Sequence, residues 1–175
     1  VLEGRPLDGS RSITMDGIRL STPVGPENLD LFAVHNQKYD PWVLAGDQDR
    51  ALRDADETGV GAKITYRGHR LTAIWKNDND PDHLLPELNT YTLSTQFNWD
   101  GSGEWKHLLE VAGQYQSGLP VDSIGEDSGY ALAVQGKSKG HLYGPVDADF
   151  GFFFYSGDRD GLKPFRTPWG RWPKW

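Results

Sequence analysis

Strict alternation of apolar and polar residues is the feature that most limits how this chain can fold. In residues 91–99 the odd positions are Tyr, Leu, Thr, Phe and Trp, while the even positions are Thr, Ser, Gln and Asn. Successive side chains of a β-strand point to opposite faces, so this period predicts a strand with one apolar and one polar face. Residues 130–160 read as a β-hairpin of the same kind, with three phenylalanines on one face of its second arm.

Eight such segments, arranged as four hairpins, can be identified along the chain. We predict short turns near residues 23–28, 67–69, 100–103 and 138–144, and long loops near 36–57, 77–89 and 116–128. Alternation of short and long connections places all the short turns at one end of the sheet. This pattern is typical of outer-membrane barrels and also occurs in soluble up-and-down barrels. The predicted fold class is therefore all-β, an antiparallel up-and-down β-barrel domain or barrel segment spanning residues 1–175.

Composition narrows the classes of function. The 175 residues are enough for one domain, and a net charge of −7 argues against a nucleic-acid partner. The absence of cysteine excludes disulfide scaffolds, Cys-based zinc sites and thiol catalysis. The sequence has no apolar run of the roughly 18 residues that a membrane helix needs. A transmembrane strand needs only about 9–11 residues, apolar at alternate positions, so the composition remains compatible with a membrane barrel.

Charged residues separate by face when the more apolar side of each strand is taken as outward. The inward side then carries a basic stripe of Arg19, Lys63, Arg67, Arg70, Lys76, Lys106 and Lys137, with Asp30, Glu110 and Asp149 as its carboxylates. A low-dielectric wall lined by one sign of charge concentrates counter-ions of the other sign. Neutral hydrogen-bonding side chains lie between these charges. We therefore predict a conduit or cleft for an anionic, hydroxyl-rich ligand. The alternative is the ordinary solvated side of a soluble sheet.

Aromatic residues at the predicted strand ends favour the membrane over the soluble alternative. Tyr and Trp at these ends all fall on the apolar face, namely Tyr66, Trp75, Tyr91, Trp99, Trp105, Tyr115 and Tyr130. Tyr and Trp form interfacial girdles at both ends of lipid-facing strands. A soluble barrel instead fills its interior with apolar side chains.

No catalytic motif is present in the sequence. The five histidines are isolated from one another, and there is no nucleophile elbow, P-loop or dinucleotide fingerprint. We predict no enzymatic activity and no cofactor. Calcium on an outer loop is the one alternative, because residues 78–82 and the pair Asp158 and Asp160 resemble parts of calcium loops without their full spacing.

Three stretches resemble strands of the alginate-export family of outer-membrane porins. RSITMDGIRLS (11–21) is similar to that family's F-D-G-x-R-L strand, and WKHLLEVAGQYQSG (105–118) to its Y-x-x-E-x-A-Y-Q-x-G strand. The hairpin from YALAVQGKSKG (130–140) to DFGFFFYSGD (149–158) is similar to its A-Y-A-L and G-Y-x-Y-A-S-G-D hairpin. By position, Arg19 and Glu110 match residues of this pattern.

The resemblance implies a monomeric β-barrel in the outer membrane of a Gram-negative bacterium, in contact with outer-membrane lipid. Its basic lumen would pass an acidic oligo- or polysaccharide, or another small acidic solute, passively. Arg19 and Glu110 would face that lumen. Barrels that are wide enough for a water-filled channel have about 16–18 strands, so the resemblance also implies that this chain is a segment of a larger barrel.

Two other interpretations stay open from the sequence. One is a soluble β-sandwich or jelly roll that binds or degrades polysaccharide. The other is a small eight-stranded membrane barrel with a structural role, because an interior of that size is filled by side chains.

Overall fold

A computed structural model describes residues 16–25, 27–37, 56–82, 87–120, 126–143, 146–157 and 162–166. Its strands are β1 (Asp16–Val24), β2 (Glu27–Asn36), β3 (Asp56–Tyr66), β4 (His69–Asn79), β5 (Leu88–Asp100), β6 (Lys106–Pro120), β7 (Glu126–Tyr143) and β8 (Val146–Tyr155). They form one antiparallel sheet in which the strands follow one another in chain order. The predicted all-β class and the predicted eight-stranded up-and-down topology are confirmed.

The sheet is open. Within the described ranges β1 pairs only with β2 and β8 pairs only with β7, so the first and last strands do not meet. Each of these strands has one neighbour, which leaves a row of backbone hydrogen-bonding groups along each edge of the sheet. An open sheet with this topology is consistent with a segment of a β-barrel.

Several strands extend further than their side-chain alternation predicts. β7 continues to Tyr143 through the turn predicted near residues 138–144, and β6 and β7 together leave only residues 121–125 of the loop predicted at 116–128. Backbone hydrogen bonds do not depend on side-chain polarity, so a ladder can continue past the last apolar residue. Gly140 lies in this extension, and the Trp105 indole occupies the space that a Cβ would need there.

The connection between β3 and β4 is a two-residue hairpin turn. Tyr66 pairs with His69, and the two residues between them, Arg67 and Gly68, have φ angles of 50° and 81°. Positive φ at both central positions is the geometry of a type I′ turn, which matches the twist of the flanking strands. Arg67 therefore lies in the turn and not in a strand.

Cross-strand register aligns the apolar positions of neighbouring strands. One continuous row runs from Leu20 through Leu31, Ala62 and Ala73 to Leu93, each residue directly opposite the next. We call the side of the sheet that carries this row the apolar face, and the opposite side the polar face. The pairing also decides the phase of β2, in which Leu29, Leu31 and Ala33 lie on the apolar face and Phe32 and Val34 on the polar face.

Exposure on the two faces is the reverse of that in a soluble sheet. On the apolar face Ile18 is 74% exposed and Phe150 is 60% exposed. On the polar face Thr90 is 3% exposed and Gln116 is not exposed at all. The side chains of the polar face are therefore packed more closely than those of the apolar face.

Gly136 on β7 tests the packing of the apolar face. It lies directly opposite Phe152, whose ring occupies the space that a Cβ at residue 136 would need. We expect Gly136→Ala to lower the free energy of unfolding by about 1–3 kcal/mol, because the Phe152 ring must move. Gly113 is the matched control, since it is on the same face and a Cβ there meets open space. Urea unfolding that shows equal losses for the two variants would contradict this packing.

Candidate functional site

The centre of the polar face is formed by buried hydroxyl and amide side chains. The buried members are Thr72, Thr90, Thr92, Gln96, Gln114 and Gln116. Gln114 donates from Nε2 to Thr92 Oγ1 at 2.8 Å, and Gln96 donates from Nε2 to Asn98 Oδ1 at 2.9 Å. Gln116 Nε2 donates to Gln114 Oε1 at 2.6 Å, so the strip is a hydrogen-bonded network, and its partly exposed neighbours Ser94 and Asn98 can meet a hydroxyl-rich solute.

Asp30 on β2 is the centre of a charged cluster on three neighbouring strands. Its carboxylate accepts from Lys63 Nζ at 2.7 Å, from Arg19 Nη2 at 2.9 Å and from Ser21 Oγ at 2.5 Å. The Asp30 side chain is almost completely buried, whereas Arg19 is largely exposed. The cluster therefore neutralises much of the charge that Arg19 and Lys63 were predicted to present to a ligand.

Lys76 on β4 is held in the same way near the long-loop end of the sheet. Its Nζ lies 2.7 Å from Glu57 Oε1 and 2.8 Å from Asp78 Oδ1, and its side chain is largely buried. Because both carboxylates compensate its charge, Lys76 contributes to the structure of the face more than to attraction of an anion.

Two further contacts lie on β6, β7 and β8. Lys137 Nζ is 3.0 Å from Asp149 Oδ2, and both side chains are about half exposed. Glu110 accepts a hydrogen bond from Gln135 Nε2 at 2.6 Å. Exposed ion pairs are weak, so Lys137 remains accessible to a competing anion.

Arg70, Lys106 and Lys139 form no ion pair with any residue that the structure describes. All three are exposed. Lys106 is directly opposite Lys139 in the register of β6 and β7. Like charges at directly opposed positions destabilise a sheet, and the register places a carboxylate on the other side of each lysine, Asp100 opposite Lys106 and Asp149 opposite Lys139. Lys139 was not predicted as a site residue because it fell within the turn predicted near residues 138–144.

The structure brings seven of the eight predicted residues onto the polar face, and these are Arg19, Lys63, Arg70, Lys76, Lys106, Glu110 and Lys137. Arg67 is the exception. It lies in the β3–β4 turn, and its guanidinium carbon lies 5.3 Å from the centre of the Tyr66 ring. Because Tyr66 shares the apolar face with Ile64, Arg67 does not line the polar face.

The polar face also carries carboxylates that sequence reasoning assigned elsewhere. They are Glu57, Asp78, Asp100 and Asp147. The sequence predicts a loop for Glu57 and Asp78 and a turn for Asp100, and the strands extend far enough to include them. The face therefore carries both signs of charge, and its unpaired cations gather in the half nearest the short turns.

The described residues show no group of three or more His, Asp or Glu side chains that could hold a metal ion. Asp80, from the acidic stretch that resembles a calcium loop, accepts a hydrogen bond from the Asp82 backbone N–H at 3.2 Å. Asp158 and Asp160 lie outside the described residues. No helix of the described part has both the length and the hydropathy needed to cross a membrane.

Comparison of the chain with protein-family models, with curated proteins and with solved structures finds no match. The resemblance to alginate-export porins therefore stays a prediction that rests on the sequence motifs.

Asp30 and Asp149 allow a matched test of the charged contacts. Asp30→Asn leaves Lys63 without its carboxylate at a mostly buried position, and we expect the free energy of unfolding to fall by about 1–3 kcal/mol. Asp149→Asn removes an exposed pair and should lower it by less than about 1 kcal/mol. Denaturant titration measures both values. Equal losses would show that burial does not distinguish the two ion pairs.

Proposed function

We propose that this chain forms part of the wall of a β-barrel in the bacterial outer membrane, and that the barrel passes anionic solutes along its polar face. The observation that carries the proposal is the exposed apolar face, which is bounded by an aromatic row at each end. Acidic oligo- or polysaccharides and small organic anions are the solute classes. The proposal involves no catalytic step and no cofactor, and a single barrel suffices.

The first aromatic row crosses four strands near the long-loop end. It consists of Trp75, Tyr91, Tyr115 and Tyr130, each directly opposite the next. The ring centroids of Tyr91 and Tyr115 are 6.1 Å apart, and those of Tyr115 and Tyr130 are 5.3 Å apart. Amphipathic rings aligned at one level are typical of the boundary between lipid and water.

The second aromatic row lies near the short turns. Trp99 stacks on His107 with ring centroids 5.3 Å apart, and Trp105 stacks on Phe150 at 6.1 Å. From Tyr91 to Trp99 the chain advances eight residues along β5, which is about 26 Å at the rise of a strand. A strand tilted by about 40° then spans roughly 20 Å of membrane, close to the apolar band of about 25 Å in outer-membrane barrels.

The surface between the two rows contains no charged residue at any described position of the apolar face. Its members include Leu71, Leu93, Val111, Val134 and Phe152. A water-soluble monomer rarely exposes a contiguous apolar surface of this extent. Lipid acyl chains would cover it without requiring a second protein layer.

The polar face supplies the other half of the proposal. Arg70, Lys106 and Lys139 attract carboxylates, and partly exposed polar side chains of the same face, such as Ser94 and Asn98, can replace part of the hydration of the solute. Carboxylates on the same face limit the strength of this attraction. Conduction requires binding that is favourable enough for entry and weak enough for release, and a face of mixed charge satisfies both requirements.

Leu71 tests whether the apolar face contacts lipid. It lies midway between the two aromatic rows and is 47% exposed. If it faces the bilayer centre, Leu71→Arg should lower the free energy of unfolding in lipid vesicles by about 2–4 kcal/mol. Val146 is 52% exposed and lies beyond the second row, so Val146→Arg should cost at most about 1 kcal/mol. In a sheet whose apolar face contacts water, both changes would be nearly neutral, and that outcome would reject the membrane proposal.

Charge reversal tests the passage of anions. In planar bilayers, the double variant Arg70→Glu with Lys106→Glu should lower the anion-to-cation permeability ratio several-fold, since two unpaired cations become carboxylates. Arg67→Glu is the control, because Arg67 stacks on Tyr66 and does not line the polar face. An unchanged permeability ratio in the double variant would exclude a role of these cations in the selection of the solute.

A further inference from the structure

A short segment outside the strands lies across the polar face. We call residues 162–166 the strap. The Arg166 backbone is held at both of its polar groups by one side chain, because its N–H donates to Gln114 Oε1 at 3.0 Å and its carbonyl accepts from Gln114 Nε2 at 2.8 Å. Gln116 Nε2 donates to the Pro164 carbonyl at 2.8 Å. Two buried amides of β6 therefore fix the strap at the backbone level.

Small residues of β6 and β7 make room for the strap. Phe165 is buried against Ala112, Ala131 and Ala133. Its ring centroid is 5.8 Å from that of Tyr155. On the polar face of β7, Gly129 precedes the two alanines, and the Lys163 side chain occupies the space that a Cβ of residue 129 would need. These small residues leave a trough on the polar face, and the strap fits that trough in shape.

Backbone hydrogen bonds also join the strap to β7 and to Ser156, the residue that follows β8. Ser156 N–H donates to the Leu132 carbonyl at 2.8 Å, and Lys163 N–H donates to the Tyr130 carbonyl at 2.8 Å. Phe165 N–H donates to the Ser156 carbonyl at 3.1 Å, and Ser156 Oγ donates to the Lys163 carbonyl at 2.7 Å. The strap is thus tied at several points, and its position does not depend on Gln114 alone.

The strap brings two cations to the polar face, and Arg166 is the exposed one, since the Lys163 side chain lies against Gly129 and is partly buried. Burial raises the pKa of the Asp78 carboxyl at the end of β4, and the charge of Arg166 is a smaller effect that favours the ionised carboxylate. Glu57 and Asp78 in this region outnumber Lys76, which pairs with both of them. Among the described residues the strap cations oppose that excess, and without Arg166 this end of the face would attract an anionic solute less strongly.

We infer that the strap is a fixed constriction of the solute path and that Arg166 is a specificity-determining residue, with Gln114 as its positioning residue. The inference rests on the proposed function and adds to it. Cations near the short turns attract the solute at one end of the polar face, and the positive charge of Arg166 attracts it at the other end. The solute class that this arrangement selects is a carboxylate-bearing or otherwise anionic chain.

The first experiment measures whether the strap is docked, independently of transport. The chain has no native cysteine, so Ala131→Cys places a single thiol beneath Phe165 in the full-length protein. We expect slow reaction with a maleimide reagent, and an acceleration of at least about tenfold when Gln114→Met removes both hydrogen bonds to Arg166. Gln135→Met is the control, because Gln135 contacts Glu110 and not the strap. Fast labelling in the parent variant, or equal acceleration by both changes, overturns the docked strap.

The second experiment measures selectivity in planar bilayers. Arg166→Gln should lower the anion-to-cation permeability ratio several-fold, Arg166→Lys should retain it, and neither should change the labelling of Ala131→Cys. An unchanged ratio in Arg166→Gln, alongside a lowered ratio in the double variant of Arg70 and Lys106, overturns the role of Arg166 and leaves the proposed function intact. A parent protein that conducts no ions overturns the proposed function and the role of Arg166 together, whereas the labelling result still decides whether the strap is docked.

Discussion

The continuous ladder of antiparallel backbone hydrogen bonds from β1 to β8 is the constraint on which the rest of the structure depends. Because successive side chains point to opposite faces, a slip of one residue between any two strands would exchange the faces of every residue beyond it. Apart from two shifts near the ends of β6 and β7, the register is regular. It therefore keeps most apolar side chains on one side of the sheet and most Thr, Gln and charged side chains on the other, with exceptions on the polar face such as Phe32, Leu108 and Phe153.

The same register determines which charges can neutralise one another. Asp30 lies directly opposite Lys63, so one buried carboxylate serves both Lys63 and Arg19. Lys106 lies opposite Lys139, with Asp100 opposite Lys106 on β5 and Asp149 opposite Lys139 on β8, yet neither lysine makes an ion pair with a described residue. Structural and accessible cations thus differ in whether they pair with a buried carboxylate, although they have the same chemistry. The ability of the polar face to attract an anion depends on the accessible cations.

The strap shows how one side of a single-layer sheet can be shaped without a second layer. Buried amides are costly unless their hydrogen bonds are made. Gln114 and Gln116 make theirs largely with the strap backbone, while Phe165 fills a trough that alanines leave open. Among the described residues, this segment outside the strands packs on the polar face and leaves the apolar face uncovered. That asymmetry agrees with a barrel wall whose outer side meets lipid.

The sequence by itself determined the class of fold, the eight strands, and the face of nearly every site residue. These follow from a period of two, which is a local property that each strand carries in its own residues. Strand ends were less predictable, because backbone pairing extends past the alternating residues; Lys139 and Glu57 were missed as site residues for this reason. The prediction placed Arg67 on the inner face of a strand, whereas it lies in a turn whose two central residues have positive φ. Only the tertiary structure decided which cations are paired and that residues 162–166 lie against β6 and β7, because those contacts join residues up to 52 positions apart and no local pattern encodes them.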